Sequence, residues 1–290
     1  MRVKKQVISM EKELFMDSPM VSVVVPTFNS EKTLPLCLQS IKNQTYSNVE
    51  LVVVDNYSWD NTVQIAKKFN ARVLFLASEL LRRKEQRCPA RNLGAKEAHG
   101  AFILFLDSDM ELTPKVIEEC VTTCLQKNLD AVLIPQVSVV KGGFVAECQN
   151  KEIEMFRGVF SGLPKFFRRK VFHSVGGFDE NLVFGEDFDL ARRIEEAGCK
   201  TRGVKTEIIH HEGELSMKKI ALKTYYDGKT FLSFAKKNPS LAMREYCPIR
   251  YFRYSGLLRD SPIHFSGLMF MKFVKHMVAL ISIFASLLRV

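Results

Sequence analysis

The sequence is short of most features that mark small specialised folds. Its seven cysteines, at 37, 88, 120, 124, 148, 199 and 247, form no Cys-x-x-Cys pair, and no histidine stands at zinc-ligand spacing from them. A zinc module and a disulfide scaffold are therefore poor fits, and a reduced, cytosol-facing protein is expected. The amino-terminal stretch MRVKKQVISMEKELF has charges but no apolar run of signal-peptide length, so export is not expected. No Gly-x-Gly-x-x-Gly fingerprint occurs. Lys229 and Thr230 after Gly228 fail as a phosphate loop, because the required earlier glycine is Lys223. Internal repeats and low-complexity tracts are absent as well. What remains is ordinary globular material: 290 residues, 47% hydrophobic and 26% charged, enough for one large domain or two small ones with a sizeable core.

The formal charge of +10 is unevenly placed. Residues 214–290 carry 13 Lys and Arg against 4 Asp and Glu, so +9 of it lies there. This segment lacks the helix-turn-helix, zinc-finger and RNA-binding patterns that would point to nucleic acid. It ends in an apolar stretch, Gly267 to Leu288, and a cationic segment joined to an apolar one suits an anionic membrane surface. The longest uncharged apolar run, Met277 to Leu288, is 12 residues, short of the roughly 20 that span a bilayer. Lys272, His276, Ser282, Ser286 and Arg289 would form a narrow polar stripe on a helix, which suits one lying in the interface. A helix packed on the body, or in a homodimer, is the alternative.

Through the first half, apolar runs alternate with amphipathic stretches, the pattern of a parallel sheet covered by helices. Val21–Val25, Leu51–Val54, Val73–Leu76, Phe102–Leu106 and Ala131–Ile134 read as strands. Ser30 can cap a helix with Leu34, Leu38 and Ile41 on one face, Pro89 starts another that stops at Gly100, and Thr113-Pro114 opens a third. Residues 136–165 have little periodicity and read as loop-rich, and beyond Gly213 the pattern is helical and basic.

In an open parallel sheet, ligands bind beyond the carboxyl ends of the strands. Three polar groups fall there: Pro26-Thr27-Phe28-Asn29, Asp55-Asn56, and Asp107-Ser108-Asp109. Asp107 and Asp109, two apart as they leave a strand, can converge, and two converging carboxylates call for a cation between them. Oxygen ligands favour Mg²⁺ or Mn²⁺, most naturally one shared with a diphosphate. A second acidic cluster, Phe184-Gly185-Glu186-Asp187-Phe188-Asp189, precedes a helix with Leu190, Ile194 and Ala197 on one face. Taken alone it reads as first-turn acids stabilised by the helix dipole.

Taken together, VSVVVPTFN, VVDNYSWDNT, ARNLGAKEAHGAFILFLDSDM, FRRKVFHSVGGFDE, FGEDFDLARRIEEAG and IIHHEGELS resemble the family 2 glycosyltransferases over roughly residues 20–230. The resemblance implies a GT-A fold, a mostly parallel α/β sheet flanked by helices. Residues 1–19 would form an N-terminal extension, 20–213 the catalytic domain, and 214–290 a basic, membrane-associated helical tail. It implies that Pro26, Thr27 and Asn29 border the nucleotide and that Asp55 meets its base or ribose. Arg91 and Asn92 would help to hold the donor. Asp107 would reach the ribose, and with Asp109 and His210 it would form the metal site. Asp187 would be the general base, with Glu186 as an acceptor or orienting contact. Tyr57 stands where relatives often have a smaller residue, and His211 beside His210 leaves two candidates for one role. Arg82, Arg83, Lys84 and Arg87 could meet phosphate or simply be solvated. The processive synthases of the family carry Gln-x-x-Arg-Trp, whereas the only tryptophan here is Trp59.

The implied activity is an inverting transfer of one sugar from a UDP- or GDP-sugar to a hydroxyl of a lipid-linked or surface-glycan acceptor, at the inner face of the cell membrane. A polyprenyl-phosphate sugar synthase, a sugar nucleotidyltransferase and a non-catalytic nucleotide- or glycan-binding module are the alternatives.

Overall fold

The structure, a computed structural model, describes residues 18–76, 87–156, 163–182, 184–246 and 254–288. The Arg82-Arg83-Lys84 stretch, Gly158, Gly162, Arg289 and nearly all of the N-terminal extension lie outside them.

The first strand, β1 (Val21–Thr27), is buried along its whole length, as a near-continuous valine run requires of a strand covered on both faces. Residues 28–33 lead to α1 (Leu34–Lys42), then β2 (Val49–Asp55), α2 (Thr62–Lys68) and β3 (Arg72–Phe75). Next come α3 (Arg87–Glu97), β4 (Phe102–Phe105), β5 (Met110–Leu112), α4 (Val116–Gln126) and β6 (Ala131–Leu133). β7 (Gln136–Lys141), α5 (Phe144–Phe156), β8 (Pro164–Arg168), α6 (Arg169–Ser174) and α7 (Glu186–Glu196) follow. The chain continues through β9 (Thr201–Gly203), β10 (Ile208–Glu214), α8 (Met217–Lys237), α9 (Pro239–Tyr246), α10 (Ser255–Asp260) and α11 (Pro262–Leu287).

The main sheet has the order β3-β2-β1-β4-β8-β6-β9. It is parallel except at β8, which runs antiparallel to both neighbours. Val21, Val23 and Val25 pack with Leu34, Leu38 and Ile117 on one face, while Val24, Val52 and Val54 pack with Ala90, Ala95 and Phe105 on the other. The order turns at β1, whose neighbours are β2 and β4, and such a switch point opens a crevice at the carboxyl ends of the strands. A second sheet, β5-β10-β7, stands beyond β4.

Several sequence expectations are corrected. Residues 136–165 are regular structure, β7, α5 and the start of β8. Their apolar positions meet a helix more than a hundred residues later, so no local period reveals them. Ser30 does not cap α1. Thr33 holds that position, and Ser30 accepts backbone bonds from Thr33 and Leu34. Helix α3 already includes Arg87 and ends at Glu97, before Gly100. Ala197 is exposed just past the end of α7, which Gly198 terminates with φ +68°.

The tail helices are also arranged differently from the expectation. The apolar run belongs to a 26-residue helix, α11, long and apolar enough to cross a membrane by length and composition. Two residues of its polar stripe meet neighbouring helices. Lys272 donates to Glu152 on α5 at 2.7 Å, and Ser282 is buried with its hydroxyl on the Tyr225 carbonyl of α8. The exposed side carries Ile263, Phe270, Phe273, Met277, Leu280, Ile281, Phe284 and Leu287.

Candidate active site

Helix α3 lies close enough to β1 to deliver a charge into the crevice because of one glycine. A Cβ at Gly94 would sit 2.3 Å from Val24 Cγ1. One turn earlier, Arg91 is 2% exposed, and its guanidinium gathers the acidic residues of both clusters. Nη2 lies 2.7 Å from Asp107 Oδ1, and Nη1 lies 3.4 Å from Asp187 Oδ1 and 3.6 Å from Glu186 Oε1. Arg87, one turn before, reaches Glu186 Oε1 at 3.3 Å. Residues 80 positions apart in sequence thus meet around a single side chain.

The second cluster is aimed there by its helix start. Gly185, before Glu186, adopts φ +77°, a conformation that favours glycine, and a Cβ there would also meet the Phe234 ring at 2.5 Å. The following acids then occupy the first turn of α7, where the helix dipole favours negative charge. Burial, and then the neighbouring Asp187, raise the Glu186 pKa above the ordinary carboxylate range against the pull of Arg87 and Arg91. Asp187 is the more open of the two, with its side chain 30% exposed against 7%.

At Asp107 burial opposes ionisation, but Arg91, then Lys165 and Arg87, hold the carboxyl well below its usual range. The two aspartates of Asp107-Ser108-Asp109 have different neighbours. Arg91 neutralises Asp107, and Asp109 has a different neighbour, His210 Nε2, at 3.4 Å. The pairing of β10 with β5 sets His210 opposite Met110. It also distinguishes the adjacent histidines, since His211 Nε2 lies 2.9 Å from Glu111.

Asp109 and His210 supply one oxygen and one nitrogen ligand. The other ring nitrogen of His210 is held by the Gln136 side chain at 2.9 Å, the outer contact that orients a metal-binding imidazole. Among the described residues no group of three or more His, Cys, Asp or Glu is placed to hold an ion. The pair fits a cation that takes its remaining ligands from diphosphate and water, as Mg²⁺ commonly does.

On the opposite wall, Asp55 is fully buried. One oxygen accepts from the Thr27 and Ser58 hydroxyls at 2.8 and 2.6 Å, and the other accepts from the Ser58 N–H at 2.8 Å. In this arrangement it ties the 55–58 turn to the end of β1 behind Pro26. Asn29, at φ +49°, donates its N–H to Ser58 and accepts from the Trp59 N–H. Tyr57 also adopts the left-handed region, at φ +55°, where a smaller residue would be less strained. Asn92 follows Arg91 on α3. Its amide bonds the Phe178 N–H and carbonyl and the Glu180 carboxylate, bracing the loop before α7.

The sequence reading passed over Lys165, which no motif marks. It also used Trp59 only to exclude processive enzymes. The indole is 72% exposed and meets Phe28 edge-on at 5.2 Å, which places an aromatic pair just past the end of β1.

Comparisons with known proteins identify the family. Residues 22–178 match the sequence model of Glycosyl transferase family 2, and residues 102–288 match Glycosyl transferase family group 2. The chain belongs to glycosyl transferase family 2. It is 33% identical to glycosyltransferase AglE of Haloferax volcanii over 62% of each chain. It is 34% identical to the UDP-Glc:alpha-D-GlcNAc-diphosphoundecaprenol beta-1,3-glucosyltransferase WfgD of Escherichia coli, over 45% of this chain and 53% of that one. These matches span less than two thirds of either relative. The mannosyltransferase of Pyrobaculum calidifontis, solved with GDP-Man and Mn²⁺, superposes with a TM-score of 0.62 at 15% identity, covering 92% of this chain and 87% of that one. The fold is of the GT-A type.

Proposed function

We propose that the protein is an inverting glycosyltransferase that moves one sugar from a UDP- or GDP-sugar to a hydroxyl of a lipid-linked or surface-glycan acceptor. The observation that carries this reading is Arg91, whose guanidinium touches Asp107 on the donor side and Asp187 on the other. A sugar held by its diphosphate near Asp107 and Asp109 would lie with its far face toward Asp187.

Asp187 takes the proton of the attacking hydroxyl as general base. Glu186, deeper and held by Arg87, orients the acceptor or the base. Pro26, Thr27 and Asn29 border the nucleotide. Asp55 accepts from its base or ribose with the lone-pair capacity that three protein donors leave. Asn92 supports the site from behind. Asp109 and His210 would hold Mg²⁺ or Mn²⁺, whose charge would neutralise the departing diphosphate. The presence of Mn²⁺ in the mannosyltransferase structure supports such use.

The exposed apolar side of α11, together with the positive charge of residues 214–290, supports attachment to the inner face of the cell membrane. Because α11 lies along α8 and α5, it rests on the surface as an in-plane helix, and residues 214–290 form a unit docked on the catalytic domain. The resemblance to WfgD supports a lipid-linked acceptor.

The test is a transfer assay with a panel of UDP- and GDP-sugars, with and without Mg²⁺ or Mn²⁺, offering a hydroxyl-bearing glycolipid against polyprenyl phosphate. Transfer to the glycolipid with inverted anomeric configuration is expected. Asp109→Ala should lose divalent-dependent donor binding. Transfer to polyprenyl phosphate alone, or release of diphosphate from a nucleoside triphosphate, would overturn the reading.

A further inference from the structure

Helix α8 touches the tail with one half and the second acidic cluster with the other. Its first half runs beside α11 in the same direction: Ile220 clusters with Leu268 and Met271, and two turns on, Gly228 lies against Ala279 and Ser282. A Cβ at Gly228 would come within 2.7 Å of Ser282 Cβ, so this glycine sets the spacing of the seam. Beyond Gly228 the same helix meets the start of α7.

Thr230, Phe234, Lys237 and Asn238 follow one another at helical spacing and so share a face of α8. Thr230 Oγ1 accepts from the Phe184 N–H at 3.1 Å. The fully buried Phe234 ring stands edge-on to Phe184 at 5.5 Å and fits against Gly185 because that residue has no Cβ. Lys237 Nζ donates to Asp189 at 3.1 Å and to Asp179 at 2.9 Å. Asn238, itself buried, donates to Asp189 at 3.2 Å and accepts from Arg192 Nε.

These contacts bracket Asp187. Two residues before it, Gly185 holds φ +77° against the Phe234 ring. Two residues after it, the fully buried Asp189 is fixed by Arg192, Arg193 and Lys237 at 3.3, 2.8 and 3.1 Å. Leu190 and Ile194 pack the body of α7 on the main sheet, whereas the turn from which its first acids project rests on α8. Misplacing a reacting group by about 1 Å can cost on the order of a hundredfold in rate, so the support of that turn matters to the chemistry.

We propose that Thr230 and Phe234 are positioning residues for Asp187. They fix the Phe184-Gly185 turn, and with it the direction in which the general base points, acting through the backbone rather than by contact with donor or acceptor. The base and the apolar face of the tail thereby belong to one packed unit, joined through α8.

The inference rests on the glycosyltransferase reading of Asp187, and one arm of its test reads the turn without turnover. Thr230→Val removes the acceptor at nearly constant volume, Thr230→Ser restores a hydroxyl, and Phe234→Leu withdraws the ring but keeps an apolar side chain. Ile117→Val, in the core on the other face of the main sheet, controls for lost stability alone. Single-turnover transfer is measured with the UDP- or GDP-sugar and the glycolipid that react in the panel assay, beside the nucleotide dissociation constant and the exchange rate of the Phe184 amide. Thr230→Val should slow transfer about tenfold, the cost of leaving one amide unpaired, with nucleotide affinity within about twofold of the parent. The Phe184 amide should exchange about tenfold faster in the same variant. Thr230→Ser should return both readouts to within about twofold of the parent, and Phe234→Leu should slow transfer at least as much as Thr230→Val. Ile117→Val should transfer within about twofold of the parental rate. Parental transfer by Thr230→Val, an equal loss in Ile117→Val, or nucleotide affinity falling in step with transfer would each overturn the positioning role. Absence of transfer by the parent, with Phe184 protection that still depends on Thr230, would instead overturn the enzyme reading and leave Thr230 a support of the turn only.

Discussion

The crevice at the end of β1 and the seam between α8 and α11 both carry charged side chains, and they treat them in opposite ways. In the crevice, Arg91 is enclosed by three carboxylates, and Asp107 is held ionised by the cations around it. In the seam, half-buried Lys275 of α11 forms no ion pair among the described residues, and burial rather than a partner sets its titration. In the crevice the acids are held in place around Arg91 before any ligand arrives. The seam leaves its lysine without a paired carboxylate.

The contrast predicts opposite signs for two similar substitutions. Arg91→Met leaves three buried carboxylates without their shared cation and should cost about 3–5 kcal/mol, read from the urea midpoint. Stability within error of the parent would show that the crevice is not held by this residue. Gly228→Val drives a branched side chain into Ser282, an overpacking that should cost about 1–3 kcal/mol and weaken vesicle attachment by displacing α11. Unchanged stability and flotation would mean that the two helices can part freely.

Lys275→Met should stabilise the protein, the smallest of the three effects. The folded-state ammonium titrates near 8, below its ordinary 10.5, so between these values the unfolded chain binds more protons and parental stability rises with pH. The groups facing it are Lys272, Lys223, Glu152, Glu212 and Asp227. The melting-temperature gain of the variant should therefore be full below about pH 8 and shrink toward pH 10.5. A gain that grows with pH would contradict the assignment.

Much of the catalytic half was legible because its elements carry their own signals. The unbroken run at Val21–Val25 specified a central strand, and the polar residues following β1, β2 and β4 marked the crevice mouth. Leu190 and Ile194 gave the buried face of α7, while Ala197 overshot it because Gly198 stops the helix first. The identity of the cation at Asp107 was not legible. Arg91 stands 16 positions upstream, and only the closeness that Gly94 allows aims it at the aspartate. Helix α5 was missed because its partner is α11: Gly267 packs on Cys148 and Phe144, and Lys272 pairs with Glu152. The tail was misjudged for a related reason. Charges were used to bound an apolar run, when what mattered was the face of the helix from which Lys272 and Lys275 project.

The central claim is that Asp187 faces, across one cavity, the aspartates that hold the donor. Single-turnover transfer by Asp187→Asn at saturating donor, measured beside the nucleotide dissociation constant of the same variant, addresses it most directly. Loss of transfer by at least about a hundredfold, with nucleotide affinity within about twofold of the parent, is the predicted result. Transfer at the parental rate would contradict it.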